Sequence, residues 1–148
     1  FHPEVIHSGR KTNDTMSQFI AARFLKILRN APKVDAVKPR ILILGFTFKE
    51  NCPDIRNTKV SEFRKELVES GCSVSIYDPI CDQKLVEQEY GFSLLDDLEI
   101  SEKFDGVAIM VGHSELKALG HDYIISLAKH HAPIFDFKNI FKCPEFYT

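Results

Sequence analysis

The sequence "RILILGFTFKENCPDIRNTK", residues 40–59, joins a continuous apolar run to a loop rich in charged residues. An apolar run without polar alternation is typical of a strand that is buried on both faces of a parallel sheet. Gly45 ends the run and allows the backbone to turn sharply. The segment therefore predicts an inner strand whose carboxyl end leads into a loop with three cations, Lys49, Arg56 and Lys59.

The rest of the chain alternates between strand-like and helix-like patterns. Further apolar strands are predicted near Ile76, Val107 and Ile134. Helical patterns occupy 60–71, 81–91, 94–104 and 115–131, the last with a break at Gly120. Because strands that alternate with helices favour right-handed crossovers, we predict that residues 39–148 form one doubly wound, Rossmann-like α/β domain. Its sheet is expected to be mostly parallel, with helices on both faces and with the strands at Ile41, Ile76, Val107 and Ile134 as neighbours.

Residues 1–38 carry a different pattern. A helix is predicted up to residue 30, because apolar residues recur on one face at Met16, Phe19, Ile20, Phe24, Ile27 and Leu28. Two prolines in 31–39 then mark a linker. We expect this segment to be the end of a preceding domain, with the apolar face of the helix packed outside this chain. The alternative is that the helix packs on the α/β core.

The composition narrows the class of protein. A net charge of −2 gives no global basic field for nucleic acid, and the longest apolar runs are far too short to cross a bilayer. The four cysteines lack Cys-x-x-Cys spacing, so no metal site is predicted, and free thiols in a reducing cytoplasm are expected. The chain starts with Phe and shows no secretion leader, so we expect a piece of a longer cytoplasmic protein.

The loop 45–59 is the predicted functional site, because ligands of open parallel sheets bind at the carboxyl ends of the strands. Its lysine and arginine residues and the N-terminus of the next helix suit an anion, above all a phosphate. Neither Gly-x-Gly-x-x-Gly nor a Walker motif is present, so side chains would have to hold that phosphate. The alternative is a solvated loop whose cations pair with Glu50 and Asp54.

Three further features, Asp78, Phe48 and the histidines, have a structural as well as a functional interpretation. Asp78 ends the second strand, where a Rossmann acid would bind ribose, but Pro79 follows it and a turn or cap role is favoured. Phe48 could be a core residue, since it alternates with Phe46 along the strand direction. The six histidines form no ligand pattern, and no function is assigned to them.

The stretch "ILGFTFKENCPDIRNTKVSEFRKELVESGCSVSIYDP", residues 43–79, resembles the carboxyl-terminal UDP-binding domain of the UDP-glucose/GDP-mannose dehydrogenases. The matching positions, in the family's order and spacing, are Gly45, Phe48, Lys49, Asp54, Arg56, Gly71, Tyr77, Asp78 and Pro79. The resemblance runs from about Arg40 to the end. "FHPEVIHSGRKTNDTMSQF", residues 1–19, resembles the end of the central helical domain in the branch that oxidises UDP-N-acetylhexosamines for surface polysaccharides.

The resemblance implies a role for each matching residue. Phe48 and Lys49 match family residues that contact the nucleotide sugar, and Arg56 matches an arginine that reaches NAD in the neighbouring domain. Lys138 occupies the place of a substrate-binding arginine; lysine keeps the charge but loses the bidentate fork. The alternatives without a ligand are an Arg56–Asp54 ion pair that only shapes the loop and, for Lys138, an exposed lysine in a loop.

The resemblance also implies an activity for the longer protein. Family members oxidise C6 of a nucleotide sugar from alcohol to carboxylate in two hydride transfers to NAD, through a catalytic cysteine. The NAD-binding domain and that cysteine have no counterpart here, so no catalytic residue is predicted and the chain alone is expected to be inactive. A homodimer is expected for the longer enzyme. The resemblance does not distinguish UDP from GDP or one hexose from another.

A rival hypothesis is a stand-alone flavodoxin-like or receiver-like regulatory module. A receiver requires an acidic pair after the first strand and an aspartate at the end of the third. Gly45-Phe46-Thr47 and Val111-Gly112-His113 occupy those places, so the sequence argues against a receiver.

Overall fold

A computed structural model describes residues 3–32, 37–99 and 101–148, with side chains from residue 15 onward. Within these residues, parallel strands form one four-stranded sheet in the order β2-β1-β3-β4. The strands are β1 (Arg40–Leu44), β2 (Ser73–Tyr77), β3 (Gly106–Ile109) and β4 (Ile134–Asp136). The register pairs Ile41 with Val74 and with Gly106, so β1 lies inside the sheet, as its apolar run predicts. The predicted parallel order is confirmed.

Helices cover both faces of the sheet. They are α1 (Pro3–Asn30), α2 (Val60–Glu69), α3 (Gln83–Tyr90), α4 (Ser114–Leu119) and α5 (His121–Leu127). Alternate residues of β1 point to opposite sides: Ile41 and Ile43 pack with α1, α2 and α3, whereas Leu42 and Leu44 pack with α4 and α5. The two apolar clusters therefore lie on the two faces of the sheet, which confirms the predicted doubly wound α/β class. The break at Gly120 is confirmed as well.

The first helix packs on the α/β core. Ile20, Phe24 and Leu28 are buried there, and the Phe24 ring lies 5.9 Å from that of Phe63 on α2 and 6.1 Å from that of Phe135 on β4. The expectation that this apolar face packs outside the chain is therefore wrong for those three residues. The reason is that the face of the sheet beside α2 needs a second helix to exclude water. The domain boundary at 38/39 stays a prediction.

The predicted helix at 94–104 is wrong: the described residues of this segment, 94–99 and 101–104, form no helix. Its apolar residues serve both faces of the sheet, since Leu94 is buried in one cluster and Leu98 in the other. The Leu95 backbone N–H also donates to the carbonyl of Ile76, at 2.8 Å. A chain that passes around the outer edge of β2 in this way cannot keep a single helical face.

Candidate functional site at the carboxyl edge of the sheet

The candidate site lies where the topology of the sheet reverses. The chain moves from β1 outward to β2 and then returns to place β3 on the other side of β1, so the carboxyl ends of β1 and β3 diverge around a crevice. Gly45 has a φ of +90°, and a Cβ added there would lie 2.6 Å from the Cβ of Val111. Glycine is therefore required where the loop after β1 crosses the segment after β3.

A cavity of about 390 Å³ opens at this edge, within the range of roughly 300–1,000 Å³ typical of small-ligand pockets. The loop after β1 contributes Phe48, Lys49 and Lys59, and the turn after β4 contributes Lys138. The floor is apolar, from α1, α2 and the segments after β3 and β4: Met16, Ile20, Val60, Phe63, Met110, Val111 and Phe137. Phe48, Lys49 and Lys138, the three residues predicted to contact the nucleotide sugar, therefore line one cavity, and their contact with that ligand stays a prediction.

The lysines of the cavity are available to a ligand. Lys49, Lys59 and Lys138 are all exposed, and among the described residues none of them forms an ion pair. The ion pairs with Glu50 and Asp54 that the alternative included are therefore not formed by Lys49 or Lys59 among the described residues. The three positive charges stand over an apolar floor, an arrangement that suits an anion with an apolar or planar part.

Phe48 is not a core residue. Its side chain is 53% exposed, whereas Phe46, two residues earlier, is fully buried against Tyr90 and Phe92. The strand ends at Leu44, so the alternation that would have turned both rings inward no longer applies. An exposed aromatic ring on the wall of a cavity offers a surface for stacking.

Arg56 lies apart from the cavity and pairs with Asp54. Its Nε and a terminal nitrogen each donate to one carboxylate oxygen of Asp54 at 3.0 Å, while the Arg56 side chain stays 85% exposed. The side-chain and backbone hydrogen bonds from Arg56 lower the pKa of Asp54 to about 2. The local ion pair that was the alternative for Arg56 is thus present, and a role toward NAD stays a prediction.

Asp78 organises the loop backbone. Its fully buried carboxylate accepts hydrogen bonds from the backbone N–H groups of Phe46 and Thr47 through one oxygen and of Ile80 and Cys81 through the other. Burial by itself raises the pKa of Asp78, but the hydrogen bonds from His113 and from these backbone groups outweigh it and hold that pKa below its ordinary value. The favoured turn role of Asp78 is confirmed, and its oxygens are not directed at a ribose.

His113 was missed by the sequence reasoning. It lies four residues after the end of β3, has no exposed surface, and places Nε2 2.8 Å from Asp78 Oδ2 and 3.1 Å from Thr47 Oγ1. The backbone N–H of Asn51 donates to its Nδ1 at 3.0 Å. The available signal was the position of a histidine at the carboxyl end of an inner strand, but a contact across 66 residues with Thr47 could not be read from spacing.

The turn that carries Lys138 is fastened by the last residue of β4. The two carboxylate oxygens of Asp136 accept from the backbone N–H groups of Ile140 and Phe141 at 3.1 and 3.0 Å. Asp136 is buried, so these bonds are shielded from water. They fix the direction in which the chain leaves the sheet and thereby keep Lys138 at the cavity.

The described residues provide neither a metal centre nor a cysteine at the cavity. Among the residues that the structure describes, no group of three His, Cys, Asp or Glu side chains is placed to hold a metal ion. All four cysteines are free, and none lines the cavity.

In the described part of the chain, no helix is long and apolar enough to cross a membrane.

Residues 42–143 match the profile of a protein family described as UDP-glucose/GDP-mannose dehydrogenase family, UDP binding domain. Among curated relatives, the UDP-N-acetyl-D-glucosamine 6-dehydrogenase of Salmonella typhi is 36% identical over 95% of this chain and 32% of its own length. Protein CapL of Staphylococcus aureus is 38% identical over 97% of this chain and 33% of its own. The chain thus spans about a third of the length of these relatives.

Solved structures show the same fold. The native UDP-N-acetyl-mannosamine dehydrogenase Cap5O from Staphylococcus aureus superposes with a TM-score of 0.71 at 23% identity, over 99% of this chain and 33% of that one. The UDP-D-ManNAc dehydrogenase of Pyrococcus horikoshii gives a TM-score of 0.68 at 25% identity, over 86% of this chain and 28% of that one. The first of these supports the fold alone.

Proposed function

The chain belongs to the UDP-glucose/GDP-mannose dehydrogenase family, and from this membership we propose that it is the nucleotide-sugar-binding domain of an NAD-dependent UDP-sugar 6-dehydrogenase. The observation that carries the proposal is the cavity at the carboxyl edge of β1 and β3. Three lysines without an ion-pair partner among the described residues stand there above an apolar floor. A nucleoside diphosphate has the matching chemistry, with two negative phosphates beside a planar base.

Within this proposal, Lys49 and Lys138 hold the diphosphate from opposite sides of the cavity. They leave the sheet from β1 and β4, which are separated by β3, so a ligand that touches both spans the crevice. Lys138 acts as a point charge, in contrast to the paired donors of an arginine. Phe48 provides an apolar wall through its exposed ring.

Arg56 is proposed to reach the NAD bound by another domain of the longer enzyme. The pair with Asp54 leaves the Arg56 side chain 85% exposed, so the guanidinium stays accessible to a ligand. A pyrophosphate could compete with Asp54 for the two donors, since both offer paired oxygens.

The proposed reaction is the oxidation of C6 of a UDP-sugar from alcohol to carboxylate in two hydride transfers to NAD, for polysaccharide biosynthesis in the cytoplasm. The catalytic cysteine, the NAD-binding domain and the dimer contacts would come from the parts of the enzyme that its longer relatives contain. Binding energy gathered here from the nucleotide would position the sugar for the reaction elsewhere. The loop after β1 argues against a receiver-like module, because Phe46 and Thr47 stand there, where a receiver has acids.

The test is the affinity of the chain for UDP, measured by isothermal titration calorimetry. Lys49→Ala should weaken UDP binding by about tenfold to a hundredfold, because one charge-assisted hydrogen bond is lost at a cost of roughly 1.5–3 kcal/mol. Lys65→Ala is the matched control: it removes an exposed lysine from the surface of α2, away from the cavity. Equal affinities of the wild type and Lys49→Ala, or no UDP binding by the wild type, would contradict the proposal.

A further inference from the structure

The buried ring of His113 touches both ends of the segment that carries Lys49. Its Nδ1 accepts the backbone N–H of Asn51, so Nδ1 carries no hydrogen and the ring hydrogen is on Nε2. Nε2 then donates toward Asp78 Oδ2 and Thr47 Oγ1. The Thr47 hydroxyl uses its own hydrogen to donate to the carbonyl of Lys49, at 3.0 Å. One tautomer thus satisfies every polar group in this contact.

We propose that His113 is a positioning residue for nucleotide binding, which holds residues 47–51 so that Phe48 and Lys49 face the ligand. This inference rests on the proposed function, because the ligand is the UDP moiety of that same cavity. His113 itself does not line the cavity. It acts through the backbone of the loop, and its effect is on the placement of the Lys49 charge.

The loop depends on side chains that hold it in place, because it forms no series of backbone hydrogen bonds like that of a strand or helix. It leaves the sheet at Gly45 and pairs internally through one backbone bond, from the N–H of Phe48 to the carbonyl of Asp54 at 2.8 Å. Asn51 lies in the left-handed region with a φ of 58°, and its side-chain oxygen accepts the backbone N–H of Ser114 at 2.9 Å. Two adjacent residues, His113 and Ser114, therefore tie Asn51 to the end of β3.

A fixed loop strengthens binding because less conformational entropy is lost when the ligand arrives. Lysine has a long flexible side chain, so the gain depends on the position of its backbone. Thr47 fixes the carbonyl of Lys49 itself, and His113 fixes the N–H of Asn51, two residues further along the chain. The side chain of Lys49 keeps its rotamer freedom, while the backbone atoms that carry it are held in place.

Two substitutions of His113 each remove the hydrogen bond of one ring nitrogen and keep that of the other. In His113→Asn the amide oxygen can occupy the place of Nδ1 and still accept from Asn51, whereas the donor to Asp78 is lost. In His113→Gln the amide nitrogen can occupy the place of Nε2 and still donate to Asp78, whereas the acceptor for Asn51 is lost. Asp78 retains four backbone donors in both variants.

The expected result is that His113→Asn binds UDP within about threefold of the wild type, whereas His113→Gln binds about tenfold more weakly, the effect of one hydrogen bond. Thr47→Val, which has nearly the same shape, removes the bond to the Lys49 carbonyl and should also weaken binding at least threefold. If His113→Gln does not fold, Thr47→Val tests the inference through amide exchange at Asn51 as well as through affinity, because Thr47 itself lines the cavity. Wild-type affinity in both His113→Gln and Thr47→Val would overturn the inference.

A second measurement separates positioning from general stability and does not need UDP. Amide hydrogen exchange should show a protected Asn51 N–H in the wild type and in His113→Asn, and a faster exchange at this N–H in His113→Gln. Nitrogen NMR of the wild-type ring should show the hydrogen on Nε2. Equal protection of Asn51 in the two variants would overturn the inference. If the wild type did not bind UDP, the proposed function would fail, while the exchange rates would still decide whether His113 holds the loop.

Discussion

Lys49 and Arg56 belong to the same loop, but their surroundings differ. Arg56 meets Asp54 two residues away, so its charge is satisfied within the loop. Lys49 has no ion pair with a described residue and lines a cavity to which the turn after β4 also contributes. Lys49 is therefore the residue that we assign to a ligand in the cavity, whereas Arg56, paired outside the cavity but 85% exposed, is the residue that we propose for NAD in a neighbouring domain.

Asp78 should show its role in the dependence of stability on pH. Its pKa in the folded chain lies below the ordinary value of 3.8, so its ionised form stabilises the fold above that pH. This contribution is lost as the pH falls through the lowered pKa. Asp78→Asn, which offers one acceptor oxygen where the carboxylate offers two, should lower the free energy of unfolding at pH 7 by about 3 kcal/mol.

Urea denaturation at neutral and strongly acidic pH measures this difference. The gap between the wild type and Asp78→Asn should narrow on acidification, because only the wild type loses the ionised carboxylate. Other acids titrate in both proteins and cancel in the comparison. A gap that is the same at pH 7 and pH 3 would show that the charge of Asp78 does not stabilise the fold.

At the scale of elements, α1 closes one face of the sheet and also contributes to the cavity. The side of the helix that carries Phe24 is buried, while Met16 and Phe19 are 47% and 65% exposed. Ser17 lies between these two sides and donates a hydrogen bond to the carbonyl of Lys59, at 3.4 Å, where the loop after β1 ends. The helix thus connects the core to the site.

Substitutions on the two sides of α1 should differ in how much they lower the free energy of unfolding. Phe24→Ala should lower the free energy of unfolding by about 3–5 kcal/mol, because it leaves a cavity between Phe63 and Phe135. Phe19→Ala is the control for loss of a phenyl ring at an exposed position and should change stability by less than about 1 kcal/mol. Urea denaturation of both variants gives the comparison. Equal stability of Phe24→Ala and the wild type would show that α1 is not part of the folded unit.

At the scale of the whole molecule, the chain is expected to bind without reacting. Mixed with NAD and UDP-N-acetylglucosamine, it should form no NADH, because no cysteine lines the cavity and the turn at Gly45 lacks the glycine fingerprint for a dinucleotide. The absorbance of NADH measures this directly. The UDP-N-acetyl-D-glucosamine 6-dehydrogenase of Pseudomonas aeruginosa, 37% identical, is a suitable positive control. NADH formation by the pure chain above a buffer control would contradict the roles proposed here.

The features that the sequence predicted correctly are those encoded locally. The apolar run of β1, the helical face of α2 and the break at Gly120 each depend on residues near one another in the chain. Together they determine a parallel α/β sheet, and the sheet in turn determines which loops share an edge. For this reason the meeting of Phe48 and Lys49 with Lys138 at one cavity could be anticipated, although they are far apart in sequence.

Only the tertiary structure decided the features that depend on contacts between distant segments. The burial of His113 against Asp78 joins the ends of two strands that are not adjacent in the sheet, and nothing in the spacing of these residues indicates it. The packing of α1 and the irregular path of 94–99 and 101–104 likewise depend on which apolar surfaces had to be buried. The physical reason is that the spacing of apolar residues specifies that a surface must be buried, whereas the partner that buries it is selected by the closure of the whole core.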